Sequence, residues 1–152
     1  MPRTGLSPAE LKERAIDLTE ERIRRDGVDR VRLADIARDL SISHVALYKH
    51  FPDKAALLDA ATLRWLEALQ TELSEFATGP RPIGVRLPAW FRAYYRLHWE
   101  RVVSDPAAYR AFDAAFENKS PSVLAYKEEI DRQLEGLIKE AMEAGLLRRY
   151  YP

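Results

Sequence analysis

Between Leu33 and Leu58 the chain gathers side chains suited to binding rather than to bond-making. Ser43, His44, Val45, Lys49 and His50 fall on the outer side of a segment of about two turns that also carries Ala46, Leu47, Tyr48 and Phe51. Ammonium, imidazole and hydroxyl groups held together in this way can donate to phosphate oxygens or base edges, and a valine can meet a thymine methyl. Catalytic arrangements are absent. The six glycines lie too far apart for a phosphate-cradling loop, and there is no G-x-S-x-G elbow. His44 and His50 are out of phase for a metal on one helix face, and His98 has no partner histidine within two turns. The absence of cysteine excludes disulfides, thiolate zinc sites and thiol nucleophiles. Glu128, Glu129 and Asp131 read as a solvated charged face. No enzymatic activity, metal or cofactor is expected.

Two short helices must position the binding group. Leu33, Ile36, Ala37 and Leu40 repeat at helical spacing, and Leu40-Ser41-Ile42-Ser43 has the length of a tight helix-helix joint. Ser43 suits the N-cap of the second helix, because its hydroxyl can accept a free backbone N–H there. Pro52 cannot continue a helix interior, so that helix stops near Phe51. A longer helix precedes the pair. Ser7, Pro8 and Glu10 form a capping box with proline at the first helical position. Leu11, Ala15, Leu18 and Ile23 supply its apolar stripe, and Gly27 is its natural stop.

Leu33-x-x-Ile36-Ala37, then Ile42-Ser43-x-x-x-Leu47-Tyr48-x-x-Phe51-x-x-Lys54-x-x-Leu57 resembles the helix-turn-helix signature of the TetR family of bacterial transcriptional regulators. The resemblance covers roughly residues 9 to 58. It implies that Ser43, His44, Val45 and Lys49 lie near base edges or flanking phosphates of double-stranded operator DNA. It also implies that Tyr48 and Lys54 hold the DNA backbone, with His50 and Arg32 beside them. Two positions depart from the family pattern. Arg32 stands where the family has a Thr or Ser cap, and Ser41 where it has Gly. Both bear on the stability of the turn rather than on any DNA-facing group.

The net charge is zero, so bulk electrostatics do not point to nucleic acid. The arginines at 22, 24, 25, 30 and 32 crowd the approach to the motif, each with an ordinary reading as a solvated surface charge. Apolar residues make up 47% and charged residues 32% of the chain, a composition that folds rather than stays disordered. No apolar run approaches the roughly 18 residues of a membrane span, and the start of the chain lacks a signal-peptide core. A cytoplasmic protein with no membrane partner is expected.

Beyond Pro52 the pattern remains helical, with breaks near 77–84, 104–106 and 118–121, and a stop at Gly145. The expected buried stripes are Leu58, Thr62, Trp65/Leu66, Leu69, Leu73 and Phe76; then Leu87, Phe91, Tyr94/Tyr95, His98 and Val102; and last Leu124, Ile130, Leu134, Leu137/Ile138 and Ala141. The fold class is therefore all-α: a three-helix DNA-binding domain over 1–54, followed by a helical effector-binding and dimerisation domain over 55–152. Aromatic residues concentrate in the second part. For any one of them packing in the core is the simpler reading. The family binds small molecules among these helices, which makes Trp65, Phe91, Tyr94, Tyr95, His98, Tyr109, Phe112 and Tyr126 candidate contacts for a small apolar or aromatic effector.

The resemblance implies a repressor that acts as a homodimer on a palindromic operator and is released by its effector. The alternative is a helical sensor or interaction protein that keeps the fold without binding DNA. The family's dimer bundle usually uses two further helices, and Leu146, Leu147, Tyr150 and Tyr151 read as a segment leading into another element. Self-association is expected through the helices near 85–103 and 121–144, with two-fold symmetry.

Overall fold

The computed structural model describes residues 5–148, so Tyr150 and Tyr151 lie outside the described residues. Helix α1 spans Pro8–Asp26. Its capping box is complete: the Glu10 N–H donates to Ser7 Oγ at 3.2 Å, and the Ser7 N–H donates to Glu10 Oε2 at 2.7 Å. Gly27 ends the helix at φ 90°, a left-handed value that glycine adopts without penalty. A 3-10 turn over Val28–Arg30 leads to α2, Leu33–Asp39, and α3, His44–Tyr48. As the sequence implies, the side chain of Arg32 makes no cap bond at the start of α2.

The joint after α2 is a Schellman turn. The N–H of Ser41 donates to Arg38 O and that of Ile42 to Ala37 O, both at 3.0 Å. Ser41 is held at φ 55°, so the serine occupies the left-handed position directly and the turn keeps its shape. The same device recurs between α6, Pro106–Glu117, and α7, Pro121–Glu143, where Lys119 sits at φ 51°.

Helix α4, Lys54–Thr78, is the spine. Asp53 caps it by accepting the Ala56 N–H at 2.8 Å. Its first turns place Leu57 and Ala61 in one core with Ala15, Ile23, Ile36, Ala37, Leu47 and Phe51. Its later turns place Leu66, Leu69 and Leu73 in a second core with α7 and α5, Ile83–Ser104. Helix α4 thus runs without a break through both cores. Helix α6 packs against α1 and α4 as well as α5 and α7, and so touches both cores.

The buried seam of α5 differs from the expected one. Ile83, Arg86, Trp90, Ala93 and Leu97 face inward, with Leu87, Tyr94, His98 and Val102 half-buried beside them, whereas Phe91 and Tyr95 face outward. Two polar groups explain the offset. Trp90 buries its ring because Nε1 donates to Gln133 Oε1 at 2.9 Å. Arg86 is 7% exposed because its guanidinium donates to Arg81 O at 2.6 Å and Ala77 O at 2.9 Å and pairs with Glu140. An arginine at a seam position breaks the apolar pattern, yet here it closes the end of α4. Leu124 likewise faces outward, and Val123 and Tyr126 take the buried places on α7. On α4 the centre of the stripe is Leu57, Ala61, Leu66, Leu69 and Leu73, with Leu58, Thr62, Trp65 and Phe76 half-buried beside it.

No helix among the described residues is long and apolar enough to cross a membrane.

Candidate nucleic-acid interface and ligand cleft

Helix α3 is anchored by one residue and presents its neighbours. Leu47 is buried at 1% exposure, whereas Val45 is 67% exposed and Tyr48 44%. Ser43 accepts the Ala46 N–H at 3.1 Å and fixes the start of the helix. The Phe51 N–H donates to Leu47 O at 3.0 Å, and the buried Phe51 ring seals the far end. Ser43, His44, Val45, Tyr48 and Lys49 are all exposed, and His50 is partly covered. The His44 and Tyr48 rings meet edge to face at 5.7 Å, which orients both on the outer side. Lys54, in the first turn of α4, donates to Asp29 O at 3.1 Å, so its ammonium is steered by the 3-10 turn.

The arginines divide into two sets. Arg22 binds Asp39 at 2.6 Å and tilts toward Asp35 at 3.8 Å, tying α1 to α2. Arg24 pairs with Asp105, and Arg25 with Asp26. Arg30 and Arg32 are exposed and have no ion pair among the described residues. Lys49 and Lys54 likewise make no ion pair among the described residues.

Five of the eight predicted effector contacts line one cavity of about 410 Å³ between α5, α6 and α7: Tyr94, His98, Tyr109, Phe112 and Tyr126. The other three do not. Phe91 and Tyr95 lie on the outer face of α5, at 38% and 68% exposure, because the seam offset turns them away. Trp65 packs on the far side of Phe112, at 5.2 Å, and borders a separate void of about 40 Å³ facing α1. The outward turn of α5 leaves a stripe of Tyr95, Trp99 and Val103, each at least 64% exposed.

A hydrogen-bonded relay crosses the cleft. His98 Nδ1 lies 2.7 Å from Tyr94 O; a carbonyl only accepts, so Nδ1 carries the proton. Nε2 then accepts from the Tyr126 hydroxyl at 3.2 Å. Burial raises the Tyr126 phenol well above its ordinary value, and burial also raises Tyr94, with smaller contributions from Tyr95, Tyr109 and Asp131. Both phenols are therefore neutral donors at neutral pH. Asp113, Phe116, Val123, Lys127, Ile130 and Asp131 complete the lining. Sequence reasoning put Asp131 on a solvated face, and it is indeed exposed; only the packing of α5 and α6 against α7 reveals that this face rims a cavity.

A short helix held by one buried leucine, with donors and an exposed valine outward, follows α2 through a tight turn, and the pair is a helix-turn-helix beside a lobe with an aromatic cleft. The model of bacterial regulatory proteins of the tetR family matches residues 15–61, and that of a tetracyclin repressor-like C-terminal domain matches residues 84–149. The two matches cover separate stretches that together make up most of the chain, and the chain belongs to the TetR family of transcriptional regulators. Two solved structures share the fold. The TetR family regulator PfmR of Thermus thermophilus is 21% identical, with a TM-score of 0.59 over 93% of this chain and 75% of that one. A Clostridium perfringens protein described as a candidate regulator of fatty acid metabolism is 18% identical, with a TM-score of 0.59 over 93% and 74%. No curated protein matches the chain.

Proposed function

We propose that this regulator is a repressor that binds a palindromic operator as a homodimer and is released by a small molecule held between α5, α6 and α7. The observation that carries the DNA reading is the exposure of Val45, Tyr48 and Lys49 around the buried anchor Leu47. Val45 and Lys49 meet base edges, with Ser43 and His44 beside them. Tyr48, His50, Lys54, Arg30 and Arg32 hold phosphates and set the register.

Release follows from shared elements. Phe112 and Tyr109 of α6 line the cleft, while Ala108 and Ala111 of the same helix face α1 and α4. A second cavity of about 430 Å³ beside Ala111, Ala114 and Ala115 gives α6 room to shift toward the DNA-binding lobe. The effector acts by preferring the arrangement in which the two α3 helices no longer match the operator spacing, and its differential affinity sets the size of the response. The exposed Tyr95, Trp99 and Val103 stripe supports dimerisation through α5, since paired self-complementary faces bury it.

A gel shift with the full chain and the DNA upstream of its own gene tests this reading. The expected result is a dimer-sized complex that dissociates on adding an effector. A helical sensor without DNA binding leaves that DNA unshifted at low salt, and this result would overturn the proposal.

A further inference from the structure

The lining of the α5–α6–α7 cleft carries more information than its shape. Five aromatic rings face it: Tyr94, Tyr109, Phe112, Phe116 and Tyr126. Phe112 is the hub, 6.5 Å from Tyr126 and edge-on to it, 6.0 Å from Tyr109 and 6.4 Å from Phe116. Their faces are electron-rich and attract a positive charge placed above them. The same aromatic group already holds one cation on its other side, where the Arg101 guanidinium sits 5.1 Å from the Trp65 ring centre.

The charged groups agree. Asp113 and Asp131 stand on the cleft's rim from α6 and α7, against one cation, Lys127, whose stem is exposed and free to extend into solvent. Both ring nitrogens of His98 are already engaged within the protein. Its Nδ1 proton is committed to Tyr94 O, and its Nε2 lone pair accepts from Tyr126. A carboxylate or phosphate entering the cleft therefore meets two like charges against the single cation Lys127. An ammonium meets ring faces, two carboxylates and the neutral phenol oxygen of Tyr94 as an acceptor.

We infer that the cleft takes an organic cation with an aromatic or apolar body, its charge lying between the ring faces and the Asp113 and Asp131 carboxylates. This rests on the reading that the cleft is the effector site, and it names the effector's class. The aromatic body fills the floor made by Val123 and Ile130, and the ammonium points to the rim. Electrostatic complementarity of this kind selects among molecules of equal shape.

Three indoles of similar size separate the possibilities by calorimetry on the full chain: tryptamine as cation, tryptophol as neutral, indole-3-acetate as anion. Tryptamine is expected to bind tightest, by about ten-fold over indole-3-acetate, with tryptophol between them. The double variant Asp113→Asn, Asp131→Asn should bring tryptamine down to tryptophol and leave tryptophol unchanged. Both positions are exposed, so the variant keeps the core intact. If tryptophol or indole-3-acetate binds as tightly as tryptamine, the cation inference falls while the cleft stands as a ligand site. If the double variant leaves tryptamine binding unchanged, the inference falls as well. If none of the three binds, the effector-site reading fails and takes the inference with it.

Discussion

Arg24 Nε lies 3.0 Å from Asp105 Oδ2, while Oδ1 of the same carboxylate accepts the Ala108 N–H at 3.1 Å. One side chain thus caps α6 and pins it to the end of α1. The two roles separate by substitution. Asp105→Ala loses the cap and should cost about 1 kcal/mol of stability. Asp105→Asn keeps a capping oxygen and loses only an ion pair whose arginine is 56% exposed, so the change should stay under about 0.5 kcal/mol. Chemical denaturation of both variants checks this. An equal loss in both would mean that the ion pair, not the cap, dominates.

Ser41 holds a left-handed backbone that glycine adopts freely. The penalty for a side chain there is roughly 1–2 kcal/mol, offset in part by the greater freedom of glycine in the unfolded chain. Ser41→Gly should therefore raise stability by about 0.5–1 kcal/mol, read as a higher urea midpoint at unchanged slope. DNA affinity should not fall, because no proposed DNA contact is altered.

Leu47 and Val45 are two residues apart and have opposite consequences. Leu47→Ala empties a site in the first core and should destabilise by about 3 kcal/mol, with DNA binding lost alongside folding. Val45→Ala removes an exposed side chain and should leave stability within about 0.5 kcal/mol. It should instead change which base is preferred at one operator position. Selection from a randomised duplex pool reads the difference.

Tyr126 sets a pH dependence with a definite sign. Its phenol is raised in the folded state above the ordinary value of 10.0, first by burial and then by Tyr94. The unfolded chain releases this proton first as pH rises. The stability linked to it is complete below about pH 10 and is lost as pH climbs from there toward the folded value. Tyr94 adds in the same direction. Tyr126→Phe should flatten the fall in stability above about pH 10, measured by denaturation at stepped pH; an unchanged slope would show that other groups set it.

The DNA-binding lobe was legible because its signals are local. Ser7 with Glu10, Gly27 and Ser43 each act within four residues, and the boundaries they announce are present, whereas α3 already ends at Tyr48, short of the stop near Phe51 that Pro52 implies. The missing cap at Arg32 and the strained Ser41 were legible for the same reason. The second lobe was only half legible. Tyr94, His98, Tyr109, Phe112 and Tyr126 do converge on one cavity, but a ring at helical spacing does not reveal which face is buried. On α5 that face was decided by Arg86 and Trp90, whose partners Glu140 and Gln133 lie 54 and 43 residues away. Nothing local announces such bonds. Likewise Ser120, at the N-cap of α7, makes no side-chain cap. Asp59 of α4 accepts the Ser122 N–H at 3.1 Å in its place, across 63 residues.

If α3 and the cations around it read DNA, operator affinity falls steeply with salt. Fluorescence anisotropy with a duplex from the chain's own upstream region, from low to physiological salt, gives log K against log salt. Each neutralised phosphate contributes about −0.9 to the slope, so a dimer with three charged contacts per subunit should give roughly −5. Lys54→Ala should make that slope shallower by about 2 per dimer and weaken all sequences alike. A flat response, with no preference for the upstream duplex over a scrambled one, would mean that α3 does not read DNA.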